Sequence, residues 1–314
     1  MHFDYIFKFL MNDNILGTTY PLMAVAMNQV SDANLAIAVR KAGGLPSISI
    51  FNYADQYSNV DYSLLEEEIL KYINATGDGL LVLSGDPTVI DMKLIKLIQK
   101  YSISHIELIP DYEYIKKPLL RNVLADNLLK IQSLGIKIIL KVVVYHLEIK
   151  YWSVWNNKKV DIICVKGPLG AGRVTTDNID LVELTKQAVT SGIPVIAVGG
   201  ISTAEQVSML LKAGAAAVGI GTLFAASAES CLSTEAKQKL VSASYNDLSK
   251  LPTIDLSQNA LVITTSDPTD TVNNSIGLIH GVTTGTNGHI FAGKSIDNIT
   301  QIDSVKNIIE RLFT

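Results

Sequence analysis

Two glycine turns end apolar runs in this chain: VGGIST, from Val198 to Thr203, and GIGT, from Gly219 to Thr222. Each closes a run of Val, Ile and Ala that reads as a buried strand, and residues of helical spacing follow. Glycine lets backbone N–H groups approach a phosphate with no Cβ in the way, and a helix start behind such a turn favours the phosphate's charge. Thr222 adds a hydroxyl. Either turn alone reads as a tight turn; the two together, on successive strands, point to a phosphate held at Gly199, Gly200, Gly221 and Thr222. A third glycine-rich stretch, VKGPLGAGRVTTDN, carries Lys166 and Arg173. A guanidinium does not deprotonate in a protein, so Arg173 is no general base. Its fork suits an anionic substrate or a phosphate, and a solvated loop arginine is the alternative. Lys141 and Lys166 each interrupt an apolar run. Facing a closed interior they need an anion; facing outward they snorkel. Lys166, beside Gly167 at a run's end, is the better ligand candidate. Among histidines, His146 lies just past the end of an apolar run and is the best remaining acid or base, a structural role being the alternative. His105 begins a strand and reads as structural, and His280 and His289 carry no further signal.

The elements that must position these groups alternate. Eight apolar runs read as strands: Pro21 to Met27, LPSISI from Leu45, GLLVLSG ending at Gly85, His105 to Asp111, IKIILKVVVY stopping near Tyr145, VDIICVKG ending at Gly167, Ile193 to Gly200, and AAAVGIGT ending at Thr222. Helical patterns separate most of them, and repeated strand-helix units make an α/β fold of the (β/α)8 TIM-barrel kind. Ser31 is placed to cap the first helix, while Ser63 with Glu66 and Ser202 with Glu205 match the S-x-x-E capping box. Strict alternation lapses beyond Ser230. The Ser/Thr/Asn/Asp-rich stretch from Leu248 to Asn274 has no strong periodicity, so 248–290 reads as a C-terminal insertion or lid within one domain, 1–314. IDSVKNIIERLF recovers helical spacing through Val305, Ile308, Ile309 and Leu312 and reads as a closing helix.

Composition narrows the class. The 314 residues are 48% hydrophobic and 18% charged, which suits parallel strands buried on both faces. A net charge of −4 with no basic cluster argues against nucleic acid. No stretch approaches the roughly 20 apolar residues of a membrane span, and the N-terminus lacks a leader pattern. The expectation is a cytoplasmic enzyme with a small-molecule substrate; a homo-oligomer is compatible with this reading. Cys164 and Cys231 lack metal or redox spacing and read as reduced thiols, Cys164 in the core. G-x-S-x-G, H-E-x-x-H and GxxxxGK[ST] are absent, so nothing points to a nucleophilic hydrolase or a metal enzyme.

Longer segments carry a family likeness. TTYPLMAVAMNQVSDANLAIAVRKAGGLPSIS resembles the opening of the nitronate monooxygenases and of the related FMN-dependent enoyl-ACP reductases, IPVIAVGGISTAEQVSMLLKAGAAAVGIGTLFAASAES resembles their phosphate half, and GHIFAGKSIDNITQIDSVKNIIERL resembles their tail. The resemblance implies FMN as cofactor, with Ala26, Met27 and Asn28 under the flavin and Ser84 at a flavin-contacting position. An ordinary core methionine is the other reading of Met27. The family's G-x-E-A-G-G-H-x-G loop maps onto Gly167, Leu169, Gly170, Ala171 and Gly172, with Arg173 where the family has its proposed base. The implied activity is oxidation of a nitronate with oxygen. Loss of the histidine bears on deprotonation of a neutral nitroalkane, whereas an anionic nitronate needs no base. An NAD(P)H-dependent enoyl-thioester reductase, or a non-catalytic barrel binding FMN or another phosphorylated ligand, are the alternatives.

Overall fold

The structure, a computed structural model, describes residues 14–55, 59–109, 126, 129–142, 160–173, 179–252, 259–264, 283, 285 and 288–314. Eight parallel strands form its centre: β1 (Leu22–Ala24), β2 (Ser47–Ser49), β3 (Val82–Gly85), β4 (His105–Leu108), β5 (Lys137–Val142), β6 (Ile162–Lys166), β8 (Val195–Val198) and β9 (Ala217–Ile220). They pair in the order β1-β9-β8-β6-β5-β4-β3-β2, and a parallel bridge from Met23 to Leu45 joins the two ends. The chain is a (β/α)8 TIM barrel, and each of the eight apolar runs supplies one of its strands.

Alternation along the strands divides two cores. Met23, Val82, Ile139, Ile162, Cys164, Ile196, Val198 and Ala217 point inward and pack as one cluster, with Leu16 and Leu45. Their neighbours Leu22, Leu81, Leu83, Ile138, Leu140, Ile163, Val165 and Val218 point outward and pack beneath the helices. Both faces being buried accounts for runs that are apolar throughout. The inward series is apolar at the N-terminal end and turns polar toward the other: Val82 is followed by Ser84, Ile139 by Lys141, Cys164 by Lys166. Glu107, between Ile106 and Leu108, belongs to this inward polar layer and is fully buried.

Helices among the described residues include α1 (Ala33–Lys41), α2 (Tyr62–Thr76), α3 (Met92–Lys100), α4 (Leu181–Val189), α5 (Ala204–Lys212), α6 (Thr222–Ala225), α7 (Thr234–Ser242) and α8 (Val305–Phe313). Their starts correct the sequence reading. Asp32, not Ser31, caps α1, its carboxylate accepting from the Leu35 N–H at 3.0 Å. Asp61 caps α2, which leaves Glu66 to accept from Lys100 at 2.7 Å and from the Tyr101 hydroxyl at 2.6 Å. The box at α5 is Thr203 with Gln206, one residue beyond Ser202 and Glu205. In each case the cap is a residue one or two positions away whose extended backbone aims a side-chain oxygen at the first turn. The α8 apolar face buries Val305, Ile308, Ile309 and Leu312 as the spacing predicts.

A second, smaller sheet joins β10 (Ser249–Pro252), β11 (Asn259–Thr264) and β12 (His289–Phe291), and the two-residue β7 (Gly172–Arg173) pairs with β11. Two of these strands fall in the stretch that shows no periodicity. The two pair with each other, Leu251 opposite Ala260, and the other edge of β11 takes partners remote in sequence, Arg173 opposite Ala260 and Phe291 opposite Val262.

Candidate active site

A cavity of about 240 Å³ opens at the C-terminal ends of the strands. Ala26, Met27 and Asn28, just past β1, form one wall. Side chains fix this turn: the Ser31 hydroxyl accepts from the Met27 N–H at 2.9 Å, the Ser49 hydroxyl donates to Asn28 Oδ1 at 3.0 Å, and Asn52 Oδ1 accepts from the Gln29 N–H at 2.6 Å. Gln29 sits at a positive φ of 63°, a conformation that non-glycine residues rarely adopt.

Beside this wall, on the neighbouring strands β9 and β8, stand the two glycine turns. Gly199 and Gly200 have φ of 117° and 76°, a left-handed pair whose N–H groups a side chain would not allow. A Cβ on Gly200 would stand 2.9 Å from Leu169 Cβ, and one on Gly199 3.0 Å from the Gly167 carbonyl oxygen. The first turn of α5 follows, closed by the Thr203–Gln206 box. Gly221 and Thr222 line the same side. Thr222 Oγ1 accepts from the Gly293 N–H at 3.2 Å, so its own O–H remains to be donated. This cradle fits a phosphate, held by the turn from Gly199 to Gly200 and by the Thr222 hydroxyl.

The third wall is charged. Lys141, Lys166 and Arg173 line the cavity together with Gly170 and Gly172. Below them Glu107 Oε1 lies 3.5 Å from Lys141 Nζ, and Glu107 Oε2 accepts from the Ser84 hydroxyl at 2.5 Å. Lys166 has no carboxylate within ion-pair distance among the described residues; its ammonium nitrogen donates to the carbonyls of Ala171 and Arg173. Burial, and then the charges of Lys141 and Arg173, push its pKa down to about 7. Burial and the Glu107 carboxylate push the Cys164 thiol up to about 12, so it stays protonated. Lys141 and Arg173, joined by Lys166 when it is protonated, give this wall a basic lining among the described residues, the setting for an anionic ligand.

Of the residues singled out from sequence, Ala26, Met27, Asn28, Lys166, Gly170, Gly172, Arg173, Gly199, Gly200, Gly221 and Thr222 meet at this one cavity. Two lie beside it. Ser84 is turned to Glu107, and Gly167 packs under Leu181 while its N–H donates to the Val198 carbonyl. His146 and His280 lie outside the described residues. His105 is buried at the other end of the barrel, with Ser104 Oγ 2.7 Å from its Nδ1, and burial pushes its pKa down to about 4. His289 is buried in β12. Glu107 escaped the sequence reading, although it breaks an apolar run just as Lys141 and Lys166 do. No group of three or more His, Cys, Asp or Glu among the described residues could hold a metal ion, and no helix among them is long and apolar enough to cross a membrane.

A family model described as nitronate monooxygenase matches residues 132–314, more than half of the chain. The chain belongs to the nitronate monooxygenase family. That membership places it among the oxidoreductases, and the matched part contains both glycine turns, Lys166 and Arg173. Similar solved structures include FabK from Thermotoga maritima, 22% identical with a TM-score of 0.74, covering 97% of this chain and 93% of that one. A nitroalkane oxidase from Streptomyces ansochromogenes is 17% identical with a TM-score of 0.68, covering 96% of both. The enoyl reductase domain of MlnA from Bacillus amyloliquefaciens is 14% identical with a TM-score of 0.69, covering 98% and 95%. At these identities the likeness is one of fold. No curated protein matches the sequence.

Proposed function

We propose that this member of the nitronate monooxygenase family is an FMN-dependent oxidoreductase that oxidises a small anionic substrate, such as an alkyl nitronate, with oxygen. The observation that carries the reading is one cavity lined both by a glycine cradle for a phosphate and by the basic side chains Lys141, Lys166 and Arg173. Gly199, Gly200, Gly221 and Thr222 would hold the FMN phosphate, and the turn from Ala26 to Asn28 would border the isoalloxazine. Bound FMN supplies the electron transfer from substrate to oxygen. The chain's part is to bind and to orient. Lys141, steadied from below by Glu107, offers positive charge to the flavin ring, and Arg173 offers its fork to the oxygens of the nitronate. Phe291 and the loop from Gly170 to Arg173 also line the cavity, and water displaced from it by a bound ligand would strengthen each of these attractions.

The purified protein should be yellow, release FMN on denaturation, and consume oxygen when given propyl-2-nitronate. A colourless protein that fails to bind added FMN in a titration sinks the cofactor assignment. A second reading, reduction of an enoyl thioester by NAD(P)H, draws on the likeness to FabK and to the MlnA enoyl reductase domain over nearly their whole lengths. Rapid bleaching of the flavin by NADPH, with no oxygen uptake on the nitronate, would put that reading first.

A further inference from the structure

The family resemblance places a base where this chain has Arg173, yet the cavity holds another group able to take a proton. Lys166 ends β6 pointing inward and is buried. The loop beyond is built around it: a Cβ on Gly170 would stand 2.8 Å from Lys166 Cε, and one on Gly172 4.0 Å from its Nζ. Two carbonyls of that loop, Ala171 and Arg173, accept from Nζ. A neutral amine has two N–H bonds and one lone pair. With both N–H bonds directed to the loop, the remaining tetrahedral position is left for the cavity that Lys166 lines.

Burial first, and then the charges around Lys166, favour its neutral form. Lys141 on β5 and Arg173 on β7 repel an ammonium, and each lowers the Lys166 pKa. Glu107 on β4 is engaged by Lys141 and Ser84, and Cys164, two residues back on β6, is held as a thiol. Val198 on β8, its register partner, carries no charge.

We propose that Lys166 Nζ is the proton acceptor of this site, taking the α-proton of a neutral nitroalkane bound beside Lys141 and Arg173. The inference rests on the nitronate reading above and deepens it. The C–H bond breaks, its electron pair moves through carbon onto the nitro oxygens, and the proton binds the amine lone pair. The products are a nitronate and an ammonium, and the ammonium returns its proton to solvent. Lys141 and Arg173, which keep Lys166 neutral beforehand, face the new anion.

Hydrogen–deuterium exchange at C2 of 2-nitropropane in D2O without oxygen, followed by NMR on the protein as purified, reads this step apart from turnover. The wild type should accelerate exchange above buffer, with the rate rising to a plateau through a midpoint near pH 7. Lys166→Arg keeps a cation that cannot release its proton and should lose about 100-fold or more of the exchange, a larger factor than it loses in oxidising preformed propyl-2-nitronate. In Lys166→Ala, added small primary amines should restore exchange in the order of their basicity. The proposal is overturned if the wild type oxidises the nitronate but exchanges no faster than buffer, if Lys166→Arg exchanges like the wild type, or if amines do not rescue a folded Lys166→Ala. A wild type that neither exchanges nor oxidises removes the nitronate reading itself.

Discussion

Gly200 carries two constraints that substitutions can separate. Its φ of 76° and the 2.9 Å between a new Cβ and Leu169 strain any side chain, at roughly 1–2 kcal/mol for the left-handed backbone. Gly200→Ala should therefore weaken FMN binding about tenfold through misplaced N–H groups. Gly200→Asp adds a carboxylate against a phosphate dianion and should cost at least about another tenfold; equal affinities of the two variants in a fluorescence titration would mean that the phosphate lies elsewhere. His105 tests the opposite end of the barrel. Buried and held neutral, it has a pKa near 4 in the folded chain against about 6.5 when unfolded. Below pH 6.5 the unfolded chain takes up the proton first, so stability falls as pH drops toward 4, by up to on the order of 3 kcal/mol, and no further below it. Urea midpoints at pH 7.5 and 4.5 should fall further apart in the wild type than in His105→Leu. Equal falls would show that other groups control acid sensitivity. The glycines were legible in the sequence because their role is a backbone conformation that few other residues adopt. Glu107 was not, because an inward carboxylate and an outward one interrupt a strand identically, and only the register beside Ser84 and below Lys141 tells them apart.

The strands were easier to read than the helix starts, for a physical reason. A barrel strand is fixed by burial on both faces, and a run such as VIAV admits little else. A cap depends on one side-chain oxygen meeting one N–H, and adjacent residues compete for that place. Ser202 and Thr203 show the competition: Thr203 caps α5, while Ser202 Oγ accepts from Asn298 Nδ2 at 2.8 Å. Thr203→Ala should thus cost about 1 kcal/mol in urea unfolding. It should also weaken FMN binding, since the turn from Gly199 to Gly200 runs directly into this cap. A variant that loses stability but keeps its FMN affinity would uncouple the cap from the cradle. Strands β10 and β11 pair with each other, but at four and six residues they are too short to show a period among the polar residues around them, and β11 is completed from outside its own segment. The other edge of β11 is paired by Arg173, nearly ninety residues earlier, and by β12, beyond residues 265–282.

Across the whole molecule, the small sheet and the barrel share the loop that carries Lys166 and Arg173. Arg173 is opposite Ala260 in the ladder, the Lys294 N–H donates to the Leu169 carbonyl at 2.9 Å, and the Gly293 N–H donates to Thr222 Oγ1 at 3.2 Å. A ligand at the cavity therefore bears on β11 without touching it. FMN at a hundred times its dissociation constant stabilises the folded chain by about 2.7 kcal/mol, and amides that open only with global unfolding gain the whole of it. If the two sheets unfold as one unit, amide exchange in Ala260–Thr264 should slow on adding FMN by the same factor of about 100 expected in β6 and β8, since 1.4 kcal/mol corresponds to tenfold. If the small sheet opens by itself, its exchange will be unchanged while the barrel's slows. That result would show the small sheet to open independently of the bound cofactor, parting from the barrel at the ladder between β7 and β11.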